Sequence, residues 1–369
     1  MPIIKEQDLF MKIQTLQIFK EDAMSKEKTM QLRKQVAQFE KSDTAASVKQ
    51  IINTIPPFFI LWFLAYQALD ISIFLTIALA IVASGFVVRV FIIFHDCTHG
   101  SFFKNKKANA ILGTITGIMT LFAYEKWKRD HSIHHATSSN LDKRGTGDVW
   151  VMTVDEYIEA SPGRRFAYRL YRNPIVMFGL GPLFLYLVSN RFNRKDARPK
   201  ERNNTYFINA AIVALYGGMI WWIGLPAFAI IQGTILIVAG SFGIWLFYVQ
   251  HQFEDSYFED EDQWDYVKAA VDGSSFYKLP KVLQWLTGNI GYHHVHHLSP
   301  RVPNYNLEQA HELTPPLHQA TTITLKTSLK SIRFRLYDET KKTFVGFKEI
   351  QHLLNNTKTT LQRSSVQEK

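Results

Sequence analysis

The chain has 369 residues, with 13 histidines, one cysteine and 42 Lys and Arg against 32 Asp and Glu, for a net charge of +10. One cysteine excludes an internal disulfide and leaves too few thiolates for an iron–sulfur cluster. A mean hydropathy near zero at this length suggests two or three soluble domains, but the average conceals very apolar stretches set among very polar ones.

Residues 1–49 are rich in Lys, Glu and Gln and lack the short apolar core and cleavage site of a signal peptide. They read as a cytoplasmic amphipathic or partly disordered segment with no chemistry of its own. From Gln50 to Val88 the only charge is Asp70, and from Tyr206 to Gln250 there is none. A bilayer-crossing helix needs about 20 apolar residues, so each stretch holds two crossings and a tight turn. Spans are expected at about 52–69, 71–92, 206–223 and 226–248, in two hairpins. Pro56-Pro57 are tolerable near the start of the first span, where few backbone bonds are lost. Arg89, near the end of the second span, is expected to snorkel to the interface.

Two further apolar segments, Ala108–Tyr124 and Pro174–Ser189, carry basic residues on both flanks. Lys104, Lys106 and Lys107 precede the first and Lys126, Lys128 and Arg129 follow it, so both of its ends stay on one side and it reads as interfacial or re-entrant. The second, between Arg172 and Arg191, reads the same way. The turns at Leu69-Asp70 and Gly224-Pro226 lack Lys and Arg, which places them outside and every long loop, with both termini, in the cytoplasm. The excess positive charge then meets anionic headgroups. No nucleic-acid-binding motif accompanies it, and no nucleic-acid partner is expected.

Histidines carry the chemistry. The first motif, His95-Asp-Cys-Thr-His99, follows the second span. The second, His131-Ser-Ile-His134-His135, precedes the third span, and the third, His293-His-Val-His296-His297, follows the fourth. All three emerge on one side of the membrane. Residues three or four apart share a helix face, so each motif is expected to aim its rings at one point. His294 should point off that face, and Cys97, two positions from each histidine of its motif, should point away from them. His251, at the end of the fourth span and at the depth of the motifs, joins as a further candidate ligand. His311, His318 and His352 lie in a polar region without partners at ligand spacing and read as surface.

Neutral imidazoles suit Zn, Cu, Fe and Ni alike, and eight or more of them exceed one ion's shell and imply two metals. Metal-bound His usually donates its other ring N–H to a carboxylate or carbonyl. Asp130, Asp142 and Asp148 are candidates for that role, with Asp148 foremost. Phe94, Phe102, Phe103, Phe122, Trp127 and Phe253 are mostly expected to form a membrane-interface belt rather than substrate walls. Ile332–Tyr337 and Thr343–Phe347, around a polar turn, read as a small hairpin in a cytoplasmic tail of residues 321–369. Residues 50–320 are expected to form one membrane-embedded domain. The fold class is therefore an all-α membrane protein, four spans plus interfacial helices, capped by a cytoplasmic helical region bearing the histidine motifs. A metal transporter would carry ligands in mid-span, and both hairpins hold none. A zinc protease of the usual kind needs His-Glu-x-x-His, and none occurs.

The three motifs in this order on a four-span chain resemble the integral-membrane fatty acid desaturases. His95-Asp-Cys-Thr-His99-Gly-Ser, His134-His135-Ala-Thr with Gly147-Asp148-Val-Trp150, and His293-His-Val-His-His297-Leu-Ser-Pro look like the bacterial acyl-lipid branch of delta-12 and delta-5 kinds, over roughly Asp43 to Phe347. The resemblance implies two non-haem irons held by His95, His99, His131, His134, His135, His251, His293, His296 and His297. It also implies O2 as co-substrate, a membrane-lipid acyl chain as substrate, and electrons from a separate donor such as ferredoxin. Localisation would be the cell membrane with the active site cytoplasmic. Hydroxylation of a lipid, alkane or carotenoid by the same kind of centre is the nearest alternative.

Overall fold

The computed structural model describes residues 27–352 and 354. Part of the amphipathic N-terminal expectation and the end of the tail lie outside these residues. Among the described residues, four helical segments are long and apolar enough to cross a membrane: Thr44–Asp70, Ile73–His99, Pro199–Ile223 and Leu225–His251. Helices long enough to cross lie at all four expected positions, each longer than expected at its motif-bearing or polar end.

Local chemistry sets the breaks. Asp43 Oδ1 accepts the backbone N–H groups of Ala45 and Ala46 and starts the helix Thr44–Ile52. Pro56 and Pro57 lie in the first turn of Ile55–Gln67, where their missing N–H groups are not needed. The second span runs unbroken through the first histidine motif and stops at Gly100, whose φ of 70° is the left-handed cap that lacks a Cβ penalty. His99 is thus the last helical residue. The fourth span likewise ends on His251.

The second span is the hub. It packs against the first, the fourth and the following short helix, and from Val87 to Thr98 every residue but Phe91 is buried. Trp62 of the first span donates to Gln232 of the fourth at 3.1 Å, a polar link between the two hairpins. The two interfacial candidates are helices of 15 residues, Lys106–Thr120 and Ile175–Ser189, shorter than the roughly 20 residues a bilayer crossing needs. The second of these is wound wide at Ile175–Leu180 and Leu185–Ser189, around Pro182.

Among the described residues, five very short strands complete the fold. Strand β1 (Met152–Thr153) pairs in parallel with β4 (Leu336–Asp338), which pairs antiparallel with β5 (Thr343–Val345), Tyr337 opposite Phe344. The expected tail hairpin is therefore present and is joined by a strand from the loop after the second motif. Strand β2 (Phe276–Lys278) pairs in parallel with β3 (Thr322–Thr324), so the tail is stitched to the segment leading into the third motif.

Two expectations about side chains change. Arg89 does not snorkel: it is buried, its Nε donates to Thr54 at 3.0 Å, its guanidinium lies 4.1 Å from the Trp285 ring, and it bonds the Trp285 carbonyl. A buried cation so tied costs less than an unpaired one. Phe94, Phe102 and Phe253 are core residues, not a belt, and Phe103, Phe122 and Trp127 pack partly buried against Phe94, Phe102 and Tyr124. The motifs are enclosed by the loops and short helices over the span ends, and that covering removes these rings from the interface.

Candidate metal centre

The histidine motifs meet in one buried region and sort into two groups. Ligand atoms of His95, His99, His131, His135 and His296 all lie within 4.8 Å of one another, and those of His134, His251 and His297 do the same. His293 joins the second group through its Nε2, 3.0 Å from His251 Nε2. The single-point expectation therefore holds only for the first motif. A helix turns about 100° per residue, so His95 and His99 nearly superpose while the adjacent pairs His134/His135 and His296/His297 diverge by a full 100°. In both cases the two neighbours serve different groups.

His135 stands at the junction. Its Nε2 is 3.1 Å from His131 Nε2 and 3.0 Å from His296 Nε2, and its ring stacks 4.3 Å from that of His297. Within the first group the His95 and His296 rings are 4.4 Å apart. In the second group His134 lies 4.9 Å from His251 and 5.0 Å from His297, ring to ring.

Outward-facing nitrogens are held by groups from several elements. Asp96 Oδ1 lies 3.0 Å from His95 Nδ1, and its Oδ2 accepts from the backbone and side chain of Asn304 at 2.6 and 2.8 Å. Asp148 Oδ1 bonds His134 Nδ1. The loop reaches that close because Gly147 has a φ of 76° and stands where a Cβ would be 2.9 Å from His134 Cβ. His251 Nδ1 faces the Gly273 carbonyl at 3.2 Å. Such outer hydrogen bonds fix ring orientation and tautomer in metal sites. Of the three acids considered from sequence, only Asp148 reaches a motif histidine. Asp130 is 3.5 Å from Arg194, and Asp142 accepts the Glu261 N–H at 2.9 Å.

Asp96 was missed by sequence reasoning, although it sits inside the first motif beside His95. Its partner Asn304 is 208 residues away, so only the fold gives the carboxylate its second anchor. Trp127, stacked 4.1 Å from His131, was likewise legible only as an aromatic.

His131, His135, His293, His296 and His297 are all held well below the ordinary imidazole range, first by burial and then by the neighbouring imidazoles. They are neutral, the form that binds metal. Neutral imidazoles whose Nε2 atoms face each other share at most one proton per contact, and among the described residues the buried Nε2 atoms of His99, His134 and His297 have no hydrogen-bond partner. Unpartnered inward nitrogens in two groups fit two cations.

The remaining histidines are peripheral. His294 Nε2 faces His311 Nδ1 at 2.9 Å, outside both groups as expected. His311 is not a free surface residue: it is partly buried between His294 and His318, whose Nε2 donates to the His311 carbonyl. Cys97 is buried and belongs to neither group.

A family model for fatty acid desaturases matches residues 72–324. The chain belongs to the fatty acid desaturase family. It is 62% identical over 326 residues to a "Fatty acid desaturase" of Bacillus subtilis, covering 88% of this chain and 93% of that protein. More distantly, it is 31% identical to the chloroplastic omega-6 fatty acid desaturase of Arabidopsis thaliana, over 60% of this chain and 49% of the relative. It is 27% identical to the sn-1 oleoyl-lipid 12-desaturase of Synechocystis, over 60% and 63%. The chain thus spans about half to two thirds of these distant relatives' length and nearly all of the Bacillus protein. This desaturase is an oxidoreductase acting on fatty acyl lipids, with histidine groups compatible with metal binding.

Proposed function

We propose that the protein introduces a cis double bond into an acyl chain of a membrane lipid, using two irons held by His95, His99, His131, His135 and His296 at one position and His134, His251, His293 and His297 at the other. The observation that carries this reading is the division of nine imidazoles, eight buried and His99 partly so, into two groups joined at His135. When bound, the irons supply O2 activation strong enough to take hydrogen from an unactivated methylene, which no side chain can do by acid–base chemistry. The balance is one O2, two electrons, two protons and two methylene hydrogens to two waters and one alkene.

The chain's own residues prepare the site. Asp96, Asp148 and the Gly273 carbonyl orient His95, His134 and His251. Trp127 and Phe247 cover His131 and His134, limiting water, and an enclosed site protects a reactive oxidant from side reactions. The span ends place the groups beside the bilayer, so that an acyl chain enters without crossing water. Localisation in the cell membrane, with termini and site cytoplasmic, rests on the loop charges. The name of the Synechocystis 12-desaturase favours testing the 12 position first, and a second Synechocystis relative is a "sn-1 acyl-lipid omega-3 desaturase (ferredoxin)", which supports an external carrier for this chain too.

The test is the fatty acid profile of a host expressing the intact chain beside one expressing His135→Ala, by gas chromatography and mass spectrometry with double-bond derivatisation. A new unsaturated acid only with the intact protein is the expected result and locates the bond. Hydroxylated acids would replace desaturation by hydroxylation, and an unchanged acyl profile with iron-loaded protein and a working donor would overturn the reading.

A further inference from the structure

The inference rests on the desaturase reading, which needs electrons from outside the chain. Beside the third histidine motif lies an open groove of about 270 Å³, lined by Arg33, Val36, Glu40, Tyr266, Leu298 and the Ser299–Arg301 turn. Tyr266 forms part of its wall, and its hydroxyl donates to the backbone carbonyl of His297 at 2.7 Å. His297 is a proposed ligand of the second metal position, so one hydrogen bond and the covalent frame of one residue connect the groove to the site.

The groove's charge is cationic. Arg33 lies with its guanidinium 4.8 Å from the centre of the Tyr266 ring and is exposed, as is Lys34 next to it. Arg301 exposes 77% of its side chain. The groove's carboxylate, Glu40, is already engaged, accepting from Ser299 at 2.9 Å and pairing with Arg301 at 3.4 Å. Guanidiniums on such a rim steer an acidic protein into contact, and a partner seated there rests against Tyr266.

We propose that this groove is the docking site of a small acidic one-electron carrier of the ferredoxin type, and that electrons pass through Tyr266 to His297. In each encounter the carrier loses one electron and the metal site gains one, so a turnover takes two encounters. No covalent bond changes in the transfer.

The experiment uses the full-length, iron-loaded protein in lipid nanodiscs with a 2Fe–2S ferredoxin as probe. In Arg33→Glu/Arg301→Glu, the Kd for ferredoxin rises roughly tenfold or more and the salt dependence of binding weakens, while product formed after chemical reduction by dithionite is unchanged. Tyr266→Phe, which keeps the ring and removes the hydrogen bond, binds ferredoxin normally but is reduced by it several-fold more slowly in stopped flow. An unchanged Kd in the double variant overturns the docking site whatever the product analysis gives. Activity that instead falls only with anionic lipid in the nanodisc assigns the groove to headgroups and also overturns it. Failure of the dithionite-reduced wild type to form any unsaturated product sinks the desaturase reading, separately from the binding result.

Discussion

The two histidine groups use the same ligand type and differ in how they are supported. In the five-histidine group, His95 is backed by Asp96, which is buried at the end of a spanning helix and fixed on its other oxygen by Asn304. In the other, His134 is backed by Asp148 from the loop between the second motif and β1, and that carboxylate is 18% exposed. That loop is held by Arg144, which bonds the Leu141 and Val151 carbonyls and pairs with Glu156 at 2.7 Å. One position is thus built into the membrane frame and the other is closed by a loop. Identical chemistry can be made rigid or adjustable by where its outer hydrogen bonds come from.

The comparison breaks most completely at His135, which touches both groups. His135→Ala should lose iron from both positions and all desaturation, measured by metal analysis of purified protein and by the acyl profile. Retention of one iron with partial turnover would show that the groups are independent. Next in size, Asp96→Asn should lower iron retention and turnover by about 10–100-fold, and Asp148→Asn by less, because solvent can replace part of an exposed carboxylate's role. Iron content and turnover of the two variants side by side decide this, and the opposite ranking would refute the rigid-versus-loop distinction.

Gly147→Ala forces a Cβ into a left-handed backbone and against His134, at a cost of about 1–2 kcal/mol. Its effect should fall on the second position alone, seen as a change in the spectroscopic signature of one iron and not both. The smallest effect is common to both groups. His131, His135, His293, His296 and His297 have folded-state pKa values well below the ordinary one, so below about pH 6.5 the unfolded chain takes up protons that the folded metal-free chain cannot. Stability is fully present above that pH and falls as pH drops through it. The thermal midpoint of the metal-free protein should therefore decrease between pH 7.5 and 5.5, and a flat profile would contradict the buried neutral state.

The spans were legible in the sequence because apolar runs free of charge have few soluble explanations, and the flanking Lys and Arg marked the two short helices that do not qualify as spans. The nine histidines were legible as one set because their motifs recur at the ends of those runs. Asp148 was placed foremost of three acids in the sequence, but the contact with His134 that singles it out depends on the close approach of Gly147. Arg89 was misread because a cation near a span end usually reaches water, and nothing local indicates that Thr54 and Trp285 enclose it. His311 was misread for the same reason: its partner His294 is 17 residues away.

By itself, the sequence determined the number and approximate position of the membrane helices, the ligand chemistry and the family, because these depend on hydropathy, residue type and helical spacing, all of which are local. Tertiary structure decided how the imidazoles divide between two positions, which acids back them, and where a groove approaches His297. Those outcomes depend on helix rotation and on contacts between residues as far apart as Asp96 and Asn304. A local pattern constrains such contacts only once the second span has packed against its neighbours.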